Sequence, residues 1–285
     1  VGLFYVYNAP GGHTARFELL QAFTDRYYPQ SETPIVEPPA GATERAVKLV
    51  GDYRSLTISE TSWERILGVL TRTYSVESTD EGYLTTTRLG APTQTWVERD
   101  PGMYQEVGGD ELLVFRLDDQ GHGTHMFRGN FGPSTYERVA WYESQTVLYG
   151  VVGGGALALV SFVLLWGFGF VFRRLRDAEK PTDGELTARR LLAVSSLLWL
   201  AVLVIFTLAW VNFNAEVASP SLALRVGMVL PYAALLGTVG ATVAAVLAWR
   251  DHYWNVLVRL HYSVVTVAAL LVAWQLYYLR VISIF

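Results

Sequence analysis

The histidines and acidic turn residues are the side chains of this sequence with the clearest potential for site chemistry. His122 and His125 lie in or beside a predicted hairpin turn, shortly after Asp118 and Asp119. Imidazole and carboxylate groups can bind a metal ion, but a complete site here would need further ligands. A solvated turn is the favoured interpretation, and we assign no metal-binding residue.

The remaining candidate groups predict no catalytic site either. His13 lies in a Gly-rich turn and is expected at the surface, whereas His252 and His261 flank the start of the last apolar segment and are expected at the membrane interface. The chain has no cysteine, which excludes a thiol nucleophile, a disulfide and a Cys-based metal site. The Gly-rich stretches 11–12 and 108–109 lack the lysine of a phosphate-binding loop. We therefore assign no catalytic or cofactor-binding residue and expect no cofactor.

Charge and hydropathy divide the chain at Ser144. Residues 1–144 hold 20 Asp and Glu against 12 Lys and Arg, whereas residues 145–285 hold 6 against 10. The mean hydropathy of +0.26 lies between the values typical of aqueous and membrane proteins. This asymmetry predicts an aqueous part followed by a membrane part. The acidic surface of the aqueous part argues against a nucleic-acid partner.

Four segments of residues 145–285 are long and apolar enough to cross a bilayer. We therefore expect the lipid bilayer to be the binding partner of residues 145–285. They run over 146–172, 191–211, 222–249 and 256–279. The connection 173–190 carries six Lys and Arg, whereas 212–221 carries none. The positive-inside rule then predicts a multi-pass cell-membrane protein with connection 173–190 in the cytoplasm. Both the N-terminal domain and the C-terminus are expected on the extracytoplasmic side.

The interior of each predicted span lacks Asp and Glu, which favours an anchor or scaffold over a pump. Gly150, Gly154, Gly237 and Gly240 predict close helix packing. Pro231 predicts a kink in the third span. A role in binding a partner helix stays open.

The aqueous part begins with an apolar run over 1–8, which predicts a buried strand. An amphipathic pattern over 15–28 predicts a helix with Thr14 as its N-cap. Residues 31–47 are Pro-rich and predict a linker.

The β domain is expected over 48–144, as a small antiparallel sandwich or barrel. A helix-like piece over 62–71 interrupts its strands, and Trp63, Trp96 and Tyr104 are expected in its core. The turns between strands are rich in Gly and Asp. The predicted strands are Gly51–Ile58, Tyr74–Ser78, Tyr83–Thr87, Thr95–Arg99, Met103–Val107, Leu112–Leu117, His125–Arg128 and Glu137–Val139.

The N-terminal residues resemble a known family. The run Val-Gly-Leu-Phe-Tyr-Val-Tyr-Asn, a Gly-rich turn and Ala-Arg-Phe-Glu-Leu-Leu-Gln-Ala-Phe-Thr-Asp-Arg-Tyr-Tyr-Pro together resemble the last strand and C-terminal helix of β-lactamase-related serine hydrolases. These are the penicillin-binding-protein-like, class C-type enzymes. Gly51-Asp52-Tyr53 resembles the opening of the small β domain that often follows the catalytic domain, and the long form of the family also carries C-terminal membrane helices. The resemblance implies that residues 1–30 end an α/β hydrolase domain, so the expected fold is mixed: this remnant, the β domain and a four-helix transmembrane bundle.

The family's catalytic motifs are absent from this chain. The Ser-x-x-Lys motif is absent because neither Lys48 nor Lys180 follows a Ser by three residues. The Tyr-x-Asn motif is absent because Asn8 has Val6, not Tyr, two positions before it. The Lys/His-x-Gly motif is absent because His13-Thr14-Ala15 lacks the required glycine. The chain opens at Val1 in what looks like the middle of a strand, so we expect a C-terminal fragment whose catalytic domain lies upstream. The leading hypothesis is an accessory and membrane-anchoring part, inactive alone. The alternative is a non-enzymatic receptor or sensor whose β domain binds a ligand.

Overall fold

The computed structural model describes residues 3–8, 12–28, 37–109, 111–129, 134–175 and 181–282. The N-terminal helix, α1 (Gly12–Tyr27), confirms the helix predicted over 15–28. It already includes Thr14, so the prediction of Thr14 as N-cap is wrong. The strand predicted over 1–8 is not formed in the described part, because residues 3–8 pair with no other strand. Phe4 and Val6 are 90% and 75% exposed instead.

The linker predicted over 31–47 is wrong at its C-terminal end, and residues 31–36 lie outside the described residues. Ala42–Val47 forms a helix, α2, which belongs to the β domain. Ala42 and Ala46 are buried, as is Leu49 just after the helix. The physical reason is that burial of this small apolar face stabilises a helix too short to persist alone.

The β domain is a closed antiparallel barrel in which each strand pairs with the next and the last pairs with the first. All eight predicted strands are confirmed, with ends shifted by a few residues, and the structure selects the barrel over the sandwich. The helix-like piece predicted over 62–71 forms α3 (Arg65–Thr71), between the first two strands. The strands are β1 (Gly51–Ser55), β2 (Thr73–Ser78), β3 (Leu84–Arg88), β4 (Ala91–Asp100), β5 (Met103–Glu106), β6 (Leu112–Leu117), β7 (Gly123–Arg128) and β8 (Thr135–Arg138).

Side chains fill the inside of the barrel. Tyr53, Trp96, Tyr104 and Met126 are fully buried there. The Trp96 indole N–H donates to the Thr86 hydroxyl at 2.9 Å, so the most polar atom of this large ring has a partner. An eight-stranded barrel is just wide enough to be filled by side chains, as here. The expected core positions of Trp96 and Tyr104 are confirmed.

Four long apolar helices follow the barrel, and their lengths and hydropathy are those of membrane spans. The second starts eight residues earlier than predicted, because Thr182 and Glu185 form a capping box. A short 3-10 turn, Trp141–Glu143, connects the barrel to the first. The helices are α4 (Gln145–Leu175), α5 (Asp183–Val211), α6 (Phe213–Ala218, short), α7 (Leu222–Arg250, which contains Pro231) and α8 (Val256–Tyr278).

Small residues allow α5 and α7 to approach closely. A Cβ added at Gly237 would lie 3.0 Å from the Ser195 Cβ. Thr238 accepts the Trp199 indole N–H at 2.9 Å and lies 2.8 Å from the Ser195 hydroxyl. Close packing is therefore confirmed at Gly237. It is wrong for Gly150 and Gly154, because no described atom lies within 4 Å of a Cβ added at either position.

Candidate functional site at the junction of barrel and helices

The barrel is attached to the helices by an apolar contact around α3. Val69 on α3 is 1% exposed and belongs to the same buried cluster as residues of the four long helices. The Trp63 ring, just before α3, makes edge contacts with Phe206 at the end of α5 and Phe213 at the start of α6. The centroid distances are 6.2 and 5.9 Å. This contact removes apolar surface of both parts from water, so burial favours a fixed arrangement of barrel and helices.

Backbone groups at the start of α4 are also satisfied by the barrel. The Gln145 backbone N–H donates to the Asp52 carboxylate on β1 at 3.0 Å. The Gln145 side-chain amide donates to the carbonyls of Val69 and Leu70 at 3.0 and 3.2 Å. A helix start leaves its first N–H groups without intrahelical partners, and an acidic group there is stabilising. The barrel therefore supplies part of the cap of the first span.

Two arginines of the barrel domain meet Tyr278 at the end of α8. Arg54 donates to the Tyr278 hydroxyl and lies 3.4 Å from the Glu143 carboxylate. The Arg65 guanidinium lies 5.0 Å from the centre of the Tyr278 ring and pairs with Glu60. Burial lowers the pKa of Arg65, but hydrogen bonds to Tyr278 and Glu60 outweigh it, so its pKa lies above the ordinary value. The junction is thus held by charged groups with partners as well as by apolar contact.

An ion pair lies toward each end of the barrel interior. Near the ends of β3 and β7, Arg128 donates to both oxygens of Glu111 at 2.7 and 2.5 Å, and both side chains are almost fully buried. Toward the other end, Arg45 of α2 donates to both oxygens of Glu98 on β4. Burial, and then the Glu98 charge, raise the pKa of Tyr104 beside this pair. The two ion pairs therefore occupy the space toward both ends of the barrel, and the protein's own side chains fill its interior.

The candidate metal ligands are not brought together as a site. His122 Nδ1 lies 3.6 Å from Asp118 Oδ2, and backbone N–H groups of His122 and Gln120 donate to Asp118. These hydrogen bonds, the one from His122 first, lower the pKa of Asp118. The described ranges contain no group of three or more His, Asp or Glu that could hold a metal ion. The His122–Asp118 pair orders the turn before β7.

The other histidines differ in their positions. His252 is exposed in the connection between α7 and α8. His261 lies inside α8, not at its edge, and its Nε2 is 2.9 Å from the Ser161 hydroxyl on α4. This hydrogen bond gives the ring a partner between the helices, and the expected interfacial position of His261 stays a prediction. The side chain of His13 lies outside what the structure describes.

Sequence reasoning did not find the junction. Tyr278 was visible only as an aromatic residue at a span end, and nothing in the sequence connects it with Arg54, which lies 224 residues earlier. The sequence feature that could have indicated the junction is Gln145, an amide side chain at the very start of an apolar span.

Comparison with protein-family models, with curated proteins and with solved structures finds no match for this chain. The junction, and the two parts that it joins, therefore carry the evidence for its function.

Proposed function

We propose that this chain is the accessory and membrane-anchoring part of an extracytoplasmic serine hydrolase of the β-lactamase-related type. The observation that carries the anchoring role is the junction, in which α3, β1 and the start of α4 are joined by both burial and hydrogen bonds. A flexible tether would hold a domain near the membrane without orienting it. A fixed barrel holds whatever docks on it at a defined height and angle.

Charge supports an extracytoplasmic position for the barrel. The barrel contacts the start of α4 and the ends of α5 and α8, so the end of α4 and the start of α5, which flank connection 173–190, lie at the opposite end of the bundle. This connection carries six Lys and Arg, which the positive-inside rule assigns to the cytoplasm.

A sidedness experiment is simple because the native chain has no cysteine. Thr93 on β4 and Thr187 near the start of α5 are both exposed, so each can be replaced by Cys in turn. A membrane-impermeant maleimide added to intact cells should label Thr93→Cys only, and labelling of Thr187→Cys should require permeabilised cells. The reverse pattern would place the barrel in the cytoplasm and end the proposal of an extracytoplasmic hydrolase.

The resemblance of residues 1–30 to the end of a hydrolase domain supports the enzymatic part of the proposal. Phe4 and Val6 are exposed apolar side chains in a segment without a strand partner. An apolar segment with unpaired backbone groups is stabilised when its backbone pairs with a sheet. A catalytic domain upstream in the same protein would supply that sheet, together with the Ser-x-x-Lys nucleophile that this chain lacks.

The decisive experiment is active-site labelling of the full-length protein in native membranes. A fluorescent penicillin or fluorophosphonate should label the full-length protein, and the 285-residue chain alone should stay unlabelled. Labelling of neither would remove the hydrolase and leave the receptor or sensor as the leading function. Labelling of the 285-residue chain would show a nucleophile among its own residues and overturn the accessory role.

A further inference from the structure

Arg259 is a buried cation near one end of the helix bundle. It is the fourth residue of α8, and only 9% of its surface is exposed. Its guanidinium lies 4.9 Å from the centre of the Trp249 ring at the end of α7. Its Nε is buried and has no hydrogen-bond partner among the residues that the structure describes. The cation–π contact compensates part of the cost of burial but accepts no hydrogen bond.

Two described carboxylates at this end of the bundle already have partners. Both oxygens of Asp251 accept from Arg250, at 2.7 and 3.0 Å. Glu185 accepts the Thr182 backbone N–H in the capping box of α5. Within the described ranges, no ion pair joins Arg259 to an acidic side chain. A cation in this position is costly unless an anion or water reaches it.

A second unsatisfied donor lies in the same region. The Trp254 indole N–H, in the connection between α7 and α8, is buried without an acceptor in the described structure. This connection and Arg259 share the end of the bundle with the C-terminal end of α4 and the start of α5, which carry Arg173, Arg174, Arg189 and Arg190. Two buried donors without acceptors, close to the ends of α7 and α8, indicate that an acceptor from outside the chain belongs there.

We propose that Arg259 binds the phosphate of an anionic phospholipid in the leaflet on the side away from the barrel. A lipid phosphate lies at this depth, its oxygens accept from a guanidinium, and basic sites between helices bind anionic headgroups. Phosphatidylglycerol is the suitable probe because it differs from phosphatidylcholine mainly in net charge. The proposal does not depend on the hydrolase, since it concerns only the helix bundle and the bilayer.

Native mass spectrometry of the full chain in non-ionic detergent tests this proposal. Phosphatidylcholine carries the same phosphodiester but offsets its charge with its own choline ammonium, which a second cation beside the phosphate would repel. With equal amounts of the two lipids, the wild type should therefore retain phosphatidylglycerol about tenfold more strongly. Arg259→Met should lose this preference, and Arg259→Lys should keep part of it. Arg225→Met is the positional control, since Arg225 is the exposed fourth residue of α7 at the other end. Arg250→Gln is the charge control, since it removes an exposed positive charge from the same end of the bundle as Arg259.

The outcomes separate a specific site from general attraction. Loss of preference in Arg259→Met alone supports the proposal. An equal loss in Arg250→Gln, or equal retention of both lipids by the wild type, overturns it. If inorganic phosphate displaces phosphatidylglycerol and raises the melting temperature by as much, the site is one for free phosphate and the lipid assignment fails. The wild-type comparison stays informative even if Arg259→Met does not fold.

Discussion

Trp63→Ala is the substitution that tests most directly whether the junction fixes the barrel to the helices. Trp63 lies outside the barrel strands and outside the long helices, and its ring contacts Phe206 of α5 and Phe213 of α6 in the helical part. The substitution removes these contacts without changing any residue of the barrel core or of a membrane span. Its effect should therefore appear at the junction and not in the global stability of either part.

The magnitude follows from the contacts. Each aromatic edge contact contributes about 0.5–1.5 kcal/mol beyond burial. Truncating a fully buried Trp costs about 3–5 kcal/mol, and Trp63 is only partly buried. We therefore expect a loss of about 3 kcal/mol. Because every 1.4 kcal/mol corresponds to a factor of ten, the open junction should become roughly a hundredfold more populated.

Hydrogen exchange measured by mass spectrometry reports this population. Amides of α3 should exchange roughly a hundredfold faster in Trp63→Ala, whereas those of α7 should keep the wild-type rate. Trp141→Ala is the matched control, because Trp141 lies beside the same boundary but is 79% exposed. Exchange of α3 that stays within about threefold of the wild type would refute the argument. So would equal acceleration in α3 and α7.

Three further changes test the barrel and the bundle. Glu111→Gln should cost about 3–5 kcal/mol in thermal unfolding by leaving Arg128 without its charge partner, whereas Glu111→Leu with Arg128→Met should cost much less. Gly237→Leu should separate α5 from α7 and lower the melting temperature, but Gly153→Leu should have little effect because open space surrounds Gly153. Burial raises the pKa of Tyr53 to about 12, so stability present below pH ~10 should be lost as pH rises through 12, by up to about 3 kcal/mol. Tyr53→Phe should reduce this alkaline loss, as measured by unfolding at a series of pH values.

The strands were predictable because local sequence determines them. The turn between β4 and β5 shows this: Asp100-Pro101-Gly102 is a turn signal between the two strands, and Gly102 adopts φ +80°, which glycine tolerates best. The four spans were equally predictable, since length and hydropathy suffice. Sequence could not choose between sandwich and barrel, because closure depends on the pairing of β1 with β8, more than 80 residues apart.

The contacts that define the site were not predictable for the same reason. The linker prediction missed α2 because a six-residue helix carries little periodicity, and its burial against the barrel depends on distant strands. The pairing of Arg45 with Glu98 spans 53 residues, and that of Arg54 with Tyr278 spans 224. In the sequence, each member of these two pairs looks like an ordinary surface residue. Only the folded chain shows that these arginines are structural.

The packing of the barrel bears on the choice between anchor and sensor. A sensor that binds its ligand inside the barrel needs a cavity there, as lipocalin-type barrels have. Here Trp96, Tyr104 and Met126 fill the interior, and the Arg128–Glu111 pair lies toward one end. A ligand would have to displace fully buried aromatic rings and break a buried ion pair, each at a cost of several kcal/mol. A docking role for the outer surface of the barrel requires neither change. This difference favours a barrel that presents a neighbouring domain over one that encloses a small molecule.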